Sequence, residues 1–440
     1  MPLFKTKIAC LSAMFVFSAM PAWPQHVGRI QRQMAQVMLQ DVASDVRKYY
    51  YDPKLHGLDW DAKVSYAKQK ISSATDSTDL IVPIASILED LDDSHTFFVP
   101  PRDPSRVDYG WRFEMVGTRC FVTNVRAGSD ADAKRLKPGD EVLTIDGFTL
   151  MRASLSKLAY DLNILLPQPG LRVVLRDRSG MIRQVDVMAK VTRTKMVFDF
   201  DDLTGVDADI VRQQYENEQH LLRPQYKEFG EKLLIVKLPI FAPGEPNARE
   251  LIDKARGHEY LILDLRDNPG GAESALTDLL SAIFQRTIKI ADRKARAAAD
   301  PLTAKGSGNH AFTGKVIVLV DSRSASAAEL FARTVQIEKR GIVLGDRTSG
   351  SVMEAKYHFH VTGSGPVYAF AASVTSADLI MRDGNTLEHT GVIPDETILP
   401  TASDLAYGRD PVMARAAAIA GVKLSPEDAA KLFSYEWPTD

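Results

Sequence analysis

Cysteine is nearly absent: Cys10 and Cys120 are the only two in 440 residues. So few thiols exclude a disulfide framework, and once Cys10 leaves with an N-terminal leader the remaining thiol has no intramolecular partner. Stability must come from buried apolar cores. An excess of charge of one sign is also lacking, since 54 Lys and Arg against 57 Asp and Glu give a formal net charge of -3. That balance implies no general attraction to nucleic acid or anionic membranes. Long hydrophobic runs are missing too. The apolar stretch at 8–20 is shorter than the ~20 residues of a membrane-spanning helix, and no later segment is long and apolar enough. Internal repeats, coiled-coil heptads and low-complexity tracts are not found. What remains, 45% hydrophobic and 25% charged residues, is a globular chain long enough for two or three domains.

The first 22 residues have the order of a secretory signal peptide. Lys5 and Lys7 precede the apolar run, and Pro21, Ala22 and Pro24 follow it. Cleavage is expected near Ala22, giving a mature chain beginning at 23–26 that is periplasmic or secreted. Lys7, Ile8 and Ala9 ahead of Cys10 do not make a lipoprotein acceptor site. A buried first helix is the alternative.

Residues 26–101 read as a helical region. Met34, Val37, Met38, Val42 and Val46 recur at helical spacing, as do Leu80, Ile81, Ile84, Ile87 and Leu88. Pro100 and Pro101 close the region, leaving His95 just past a helix in a turn or short strand. Residues 105–190 form a separate β-rich unit with strands at 120–125, 141–145, 171–175 and 184–187. Pro138-Gly139 makes a turn and Asp146-Gly147 closes a hairpin. Cys120, amid strand-like residues, reads as a small buried apolar group. The succession strand, Gly-Ser, short helix, Leu-Lys-Pro-Gly-Asp, strand, Asp-Gly resembles a PDZ domain. Its peptide-binding loop would then fall on Tyr109, Gly110, Trp111, Arg112 and Phe113, with a ligand-free spacer as the alternative. A polar stretch within 191–231 is expected to be a solvated linker helix. Residues 232–440 alternate continuous apolar strands with helices, the texture of a parallel sheet covered on both faces.

Two strand ends carry candidate chemistry. One strand runs into Asn268-Pro269-Gly270-Gly271 and then a helix, a place where backbone N–H groups can meet an anion or an oxyanion. Another runs into Ser322, Ser324 and Ser326 before a helix opening with Ala327 and Ala328. Small neighbours expose a hydroxyl there, and the helix N-terminus favours developing negative charge. Ordinary helix capping is the competing reading of those serines.

The pieces DLRDNPGG, VDSRSASAAELFA, GIVLGDRTSG and GVIPDE, preceded by LDDSHT and the PDZ-like unit, resemble the tail-specific, C-terminal processing serine peptidases in order and spacing. The resemblance implies a multi-domain α/β protein: an N-terminal helical region, a PDZ-like β-rich domain and an α/β catalytic core of the crotonase-like type. It implies an exported endopeptidase acting on unstructured polypeptides selected by their C-terminal ends, with no cofactor and no metal. Ser326 would be the nucleophile. Gly270 or Gly271, with Ala327, would form the oxyanion hole.

One departure matters. Members with a Ser–Lys dyad carry lysine after the glycine of a T-x-G-K segment, and here Thr348-Ser349-Gly350 is followed by Ser351. Lys356, five positions on, is out of register. The related tricorn-type arrangement uses a serine–histidine pair and a distant glutamate, and the matching residues are Ser94, His95 and Glu388. His95 would take the proton from Ser326, with Glu388 or Ser94 orienting the ring or positioning the catalytic hydroxyl. His389 competes with Glu388 for that place. His358 and His360 share a strand face without a third ligand, which argues against zinc. The alternative function is a catalytically inactive protein of the same fold that binds a peptide or an apolar ligand.

Overall fold

The computed structural model describes residues 27–101, 105–193, 221–244, 248–363 and 368–438. The expected leader and most of the expected linker helix lie outside these residues. No helix among the described residues is long and apolar enough to cross a membrane.

Three helices, Arg29–Tyr49, Trp60–Ser72 and Thr78–Glu89, open the chain. The first buries Ala35, Met38, Leu39, Val42 and Val46 against Ile84 and Leu88 of the third. Val37, although in the apolar pattern, faces outward and is 40% exposed. After the third helix the chain turns through 90–96 into strand β1 (Phe97–Val99).

The second unit contains β2 (Ser105–Asp108), β3 (Trp111–Val116), β4 (Arg119–Val125), β5 (Glu141–Ile145), β6 (Phe148–Thr149), β7 (Gly170–Arg176), β8 (Ile182–Met188) and β9 (Lys190–Arg193). β2 and β9 pair with each other, and the others form a sheet ordered β3-β4-β5-β7-β8 with β6 on β5. Asp146 (φ 49) and Gly147 (φ 85) join β5 to β6 across the Ile145↔Phe148 pair. Both residues are left-handed, as a two-residue hairpin turn requires. The Arg152–Tyr160 helix packs Leu155 and Leu158 onto the core of this sheet. Cys120 is buried in that core, which pushes its thiol pKa up to about 12.

The third unit supplies β10 (Gln225–Phe229), β11 (Leu233–Lys237), β12 (Tyr260–Asp264), β13 (Ile288–Ala295), β14 (Leu302–Ala304), β15 (Lys315–Val320), β16 (Gly341–Gly345), β17 (Met353–Thr362), β18 (Tyr368–Met381) and β19 (Glu396–Thr397). The main sheet runs β10-β11-β12-β15-β16-β19 and is parallel except for β10. The expectation of helix up to residue 231 is therefore corrected. Gln225–Phe229 is an edge strand, and its polar residues suit a strand whose outer side meets water.

Both faces of the main sheet are covered. Leu234, Val236, Leu263 and Val318 meet Leu251, Leu276, Leu280 and Phe331 of the helices on one side. Leu233, Ile235, Ile262 and Ile317 meet Val412, Met413 and Ala416 on the other. The remaining strands make a second sheet ordered β1-β18-β13-β14, with β17 on β18. β1 belongs to this sheet, paired Phe97↔Ser373, so the N-terminal helices end by donating a strand to the third unit.

The second and third units meet through a buried ion pair. Arg152 Nη2 donates to Asp346 Oδ2 at 2.6 Å and to the Gly117 carbonyl at 2.8 Å, and the Gly117 N–H donates to the same carboxylate oxygen at 2.8 Å. Both side chains are only 10% exposed. Removing one member strands the other charge, so Arg152→Ala should lower the free energy of unfolding by about 3 kcal/mol in urea titration. The apolar pair Arg152→Met/Asp346→Leu should recover most of that loss.

Candidate active site

Ser326 stands at the mouth of the Ala327–Ile337 helix with φ 53 and ψ -116. A β-carbon residue in the left-handed region is strained, and such strain persists only where the surroundings impose it. Here they do so from three sides. The Ser326 N–H is held by the Ser351 carbonyl at 2.9 Å and by Glu329 Oε2 at 3.0 Å. On the third side lies Gly270 (φ +97), where an added Cβ would come within 2.6 Å of Ser326 Cβ. Glycine at 270 is thus a packing requirement of the serine.

Glu329 organises the neighbouring loop. Its fully buried carboxylate accepts from Ser326 N–H, Ser351 N–H at 3.0 Å, Gly350 N–H at 2.8 Å and Thr348 Oγ1 at 2.5 Å. Burial pushes its pKa up to about 7 against the pull of these donors. Among the other two serines of the turn, Ser324 Oγ donates to the Leu265 carbonyl at 2.8 Å and accepts the Asp321 N–H at 3.0 Å. Ser322 Oγ is buried without a partner among the described residues.

Of the glycine pair, the Gly270 N–H donates to Asn268 Oδ1 at 2.8 Å, while Asn268 Nδ2 holds the Leu238 carbonyl at 2.8 Å. The Gly271 and Ala327 N–H groups have no intramolecular acceptor among the described residues. Gly271 (φ +136) lies so close to the Phe241 carbonyl that a Cβ would stand 2.2 Å from its oxygen.

The 93–96 turn brings Ser94 and His95 to the same region. Asp93 Oδ1 accepts the His95 and Thr96 N–H groups at 2.9 and 2.7 Å and the Thr375 hydroxyl at 2.7 Å, fixing the turn to β18. Glu388 reaches it from the far end of the chain. Its Oε1 accepts Ser94 N–H at 2.7 Å, and its Oε2 accepts Ser94 Oγ at 2.9 Å and Val352 N–H at 2.7 Å. Burial raises the Glu388 pKa, opposed by those three donors. Ser94 Oγ lies 2.7 Å from His95 Nδ1. The Ser94 hydroxyl has one proton, and where Glu388 is ionised the carboxylate accepts it. Nδ1 must then carry the hydrogen toward Ser94, which leaves the lone pair on Nε2.

His95, Ser94, Ser326, Ser349 and Ser351 line one cleft of about 850 Å³. No hydrogen bond joins His95 to Ser326. Ser351 Oγ is 2.9 Å from Ser349 Oγ. Lys356 is exposed on β17 and does not line the cleft. His389 also stands apart from it, with Nε2 3.0 Å from the Asp92 carbonyl. His358 stacks on Tyr49 with centroids 4.2 Å apart, and His360 Nε2 is 2.6 Å from Asp45. Among the described residues no group of three metal-binding side chains converges.

The cleft continues between β3 and the Arg152–Tyr160 helix, where Trp111, Phe113, Leu155 and Ala159 line it. The 109–113 segment meets other parts of the chain at each residue. Tyr109 Oη accepts the Gln168 N–H at 3.1 Å, and the Gly110 N–H donates to Asp108 Oδ1 at 2.9 Å. Trp111 is buried in the core of the small unit. Arg112 Nη2 contacts both Asp267 oxygens at 2.6 and 2.8 Å, and the Phe113 carbonyl accepts from Arg323 at 2.6 Å. Asp267, Arg323 and Glu329 were not singled out in the sequence, and Asn268 was named there only as the start of the Asn-Pro-Gly-Gly turn. Only the S-x-x-E spacing of Ser326 and Glu329, a helix-start signature, marked one of them.

Similarity to known proteins points the same way. Residues 232–398 match the model described as Peptidase family S41, and residues 31–81 match the Tricorn protease C1 domain. The chain is 23% identical over 336 residues to carboxyl-terminal-processing peptidase 1 (chloroplastic) of Arabidopsis thaliana, covering 72% of this chain and 62% of that protein. It is also 23% identical over 342 residues to the carboxy-terminal processing protease CtpA of Bacillus subtilis, covering 74% and 65%. The chain thus spans less than two thirds of the length of these relatives. Mature CPAF has the same fold, with a TM-score of 0.63 at 15% identity over 86% of this chain and 95% of that one. The photosystem II D1 C-terminal processing protease aligns with a TM-score of 0.50 at 20% identity, covering 83% and 93%. By these matches residues 232–398 are similar to the peptidase domain of family S41.

Burial holds the His95 pKa below the ordinary histidine value, and the nearby Asp93 charge opposes this. NMR titration should place the His95 imidazole below ~6.5. Asp93→Asn should move it lower still, because a charge that stabilises the imidazolium is removed. An upward move would contradict this account.

Proposed function

We propose that this chain is an exported serine endopeptidase that cleaves unstructured polypeptides at Ser326, using His95 as the base and Ser94 and Glu388 to orient it. The observation that carries this reading is the Glu388–Ser94–His95 series opening, with Ser326, onto one cleft. A serine hydroxyl is a weak nucleophile until a neighbour takes its proton. With Nδ1 turned to Ser94, His95 offers Nε2 to the cleft, and burial keeps the ring neutral near pH 7. In the acylation step Ser326 Oγ attacks a scissile carbonyl as its proton passes to Nε2. That proton then goes to the leaving amine, and water repeats the sequence to release the acyl group. The developing oxyanion is held by Ala327 N–H and Gly271 N–H, while Gly270 supports the turn through Asn268.

In this reading the 105–190 unit is PDZ-like and the core is crotonase-like. The cleft between β3 and the Arg152–Tyr160 helix receives the substrate chain, its C-terminal end preferred. The polar contacts of Gly110 and Arg112 lie within the protein, so a bound chain end must displace or extend them. Export rests on the 1–22 leader pattern alone.

A serine-reactive phosphonate should label Ser326, and Ser326→Ala should abolish labelling. His95→Ala should lower kcat/KM on casein by about 10³-fold or more, nearly as far as Ser326→Ala, with little further loss in the double variant. Lys356→Ala should keep most activity. An inactive Lys356→Ala beside a working His95→Ala would replace this assignment with a shifted Ser–Lys dyad.

A further inference from the structure

The cleft that holds Ser326 and His95 is also lined by Tyr435, Trp437 and Pro438, from the last described segment of the chain. Arg112 Cζ lies 4.3 Å from the Tyr435 ring centroid, and Arg126 Cζ lies 4.8 Å from that of Trp437. The two rings meet edge to face, 5.1 Å apart at 89°. Arg126 Nη2 also reaches the Pro438 carbonyl at 3.3 Å.

Both guanidinium groups are also held by carboxylates, independently of the rings. Arg112 is held by Asp267, and Arg126 by Asp108 at 2.9 Å. Each therefore presents a flat cationic face at a set position, the arrangement that favours stacking against an aromatic ring. The rings come from residues two apart, the spacing that puts side chains on one side of an extended chain. Residues 434–438 make no backbone–backbone hydrogen bond among the described residues, and Tyr435 is 38% exposed. Side-chain contacts, among them the two arginine stacks and the Arg126 bond to the Pro438 carbonyl, hold this segment in place of a backbone ladder.

We propose that Arg112 and Arg126 form a recognition site for an aromatic-x-aromatic stretch of a polypeptide, and that Tyr435-Glu436-Trp437 occupies this site as an internal competitor. The substrate class is then unfolded chain carrying two aromatic side chains separated by one intervening residue. This deepens the reading of the cleft as a substrate channel and rests on it for turnover, but not for binding.

The test uses the full chain with Ser326→Ala and a Ser-Tyr-Glu-Trp-Pro-amide peptide carrying fluorescein on its N-terminal amine, followed by fluorescence anisotropy. An internal competitor lowers apparent affinity by the fraction of time it occupies the site. Adding Tyr435→Ala/Trp437→Ala should therefore tighten peptide binding about tenfold or more. Arg126→Lys on that background keeps a cation beside Asp108 but loses the flat face, and should weaken binding about fivefold or more. A Ser-Ser-Glu-Ser-Pro control peptide should not bind. If Arg126→Lys lowers the thermal midpoint, Arg112→Lys gives the same reading at the neighbouring ring.

The proposal is overturned by equal binding with and without Tyr435 and Trp437, by equal binding of the control peptide, or by indifference to the lysine variants. Because no turnover is measured, binding can succeed while Ser326 proves inert to a phosphonate. It can equally fail in a fully active enzyme, so the two readings stand or fall separately.

Discussion

The Glu388 carboxylate is the point on which the arrangement of the cleft depends. It accepts the amide and hydroxyl of Ser94 and the amide of Val352, so it joins the turn after the N-terminal helices to the loop that follows Ser351. Three short hydrogen bonds offset the burial of this carboxylate, and under the proposed mechanism, with Glu388 ionised, they set which nitrogen of His95 carries the proton. Without Glu388, the Ser94 amide and hydroxyl would lose their acceptor, and nothing nearby would define the tautomer of the ring. A second buried carboxylate, Glu329, does the equivalent work for the serine, tying Ser326 to the 348–351 loop.

The small β unit is anchored to these same loops. Arg112 binds Asp267, whose φ of 61 begins the turn leading to Gly270. Arg323, three residues before the serine, donates to the Phe113 carbonyl and lies 3.3 Å from Asp267. Arg152 grips Asp346 at the end of β16, two residues before the loop held by Glu329. Three arginine contacts therefore connect the small unit to the glycine turn, the serine turn and the 348–351 loop. A displacement of the small unit has a direct mechanical route to each.

Much of this was legible in the chain, for local reasons. Strands buried on both faces announce themselves as apolar runs such as 315–320, and Asp146-Gly147 marks its hairpin because few other pairs adopt two left-handed conformations. Gln225–Phe229 was misread because a polar antiparallel edge strand has little apolar periodicity, and its Gln- and Glu-rich neighbours suggested helix. Asn268 and Asp267 could not be ranked from sequence, since their importance comes from contacts with Leu238, Gly270 and Arg112 across the fold. The pairing of Ser94 with Glu388 spans 294 positions and follows no periodicity. Only the ordered set of motifs shared with known peptidases pointed to it.

The absence of lysine after Gly350 has a structural counterpart in where the histidine comes from. A lysine at 351 would belong to the same core as the serine, held by the loop that Glu329 organises. His95 instead belongs to a turn whose position depends on a different core. There the N-terminal helices pack Val42, Val46, Ile84 and Leu88 against Phe370 and Val374 of β18. The turn is fixed to that strand by Asp93 and Thr375, and strand β1 leaves it directly into the same sheet. Under the proposed mechanism, forming the nucleophile–base pair therefore requires two independently built cores to dock in register. The helical region then acts as part of the catalytic apparatus, because loosening its packing on β18 would move the base while leaving the serine turn intact.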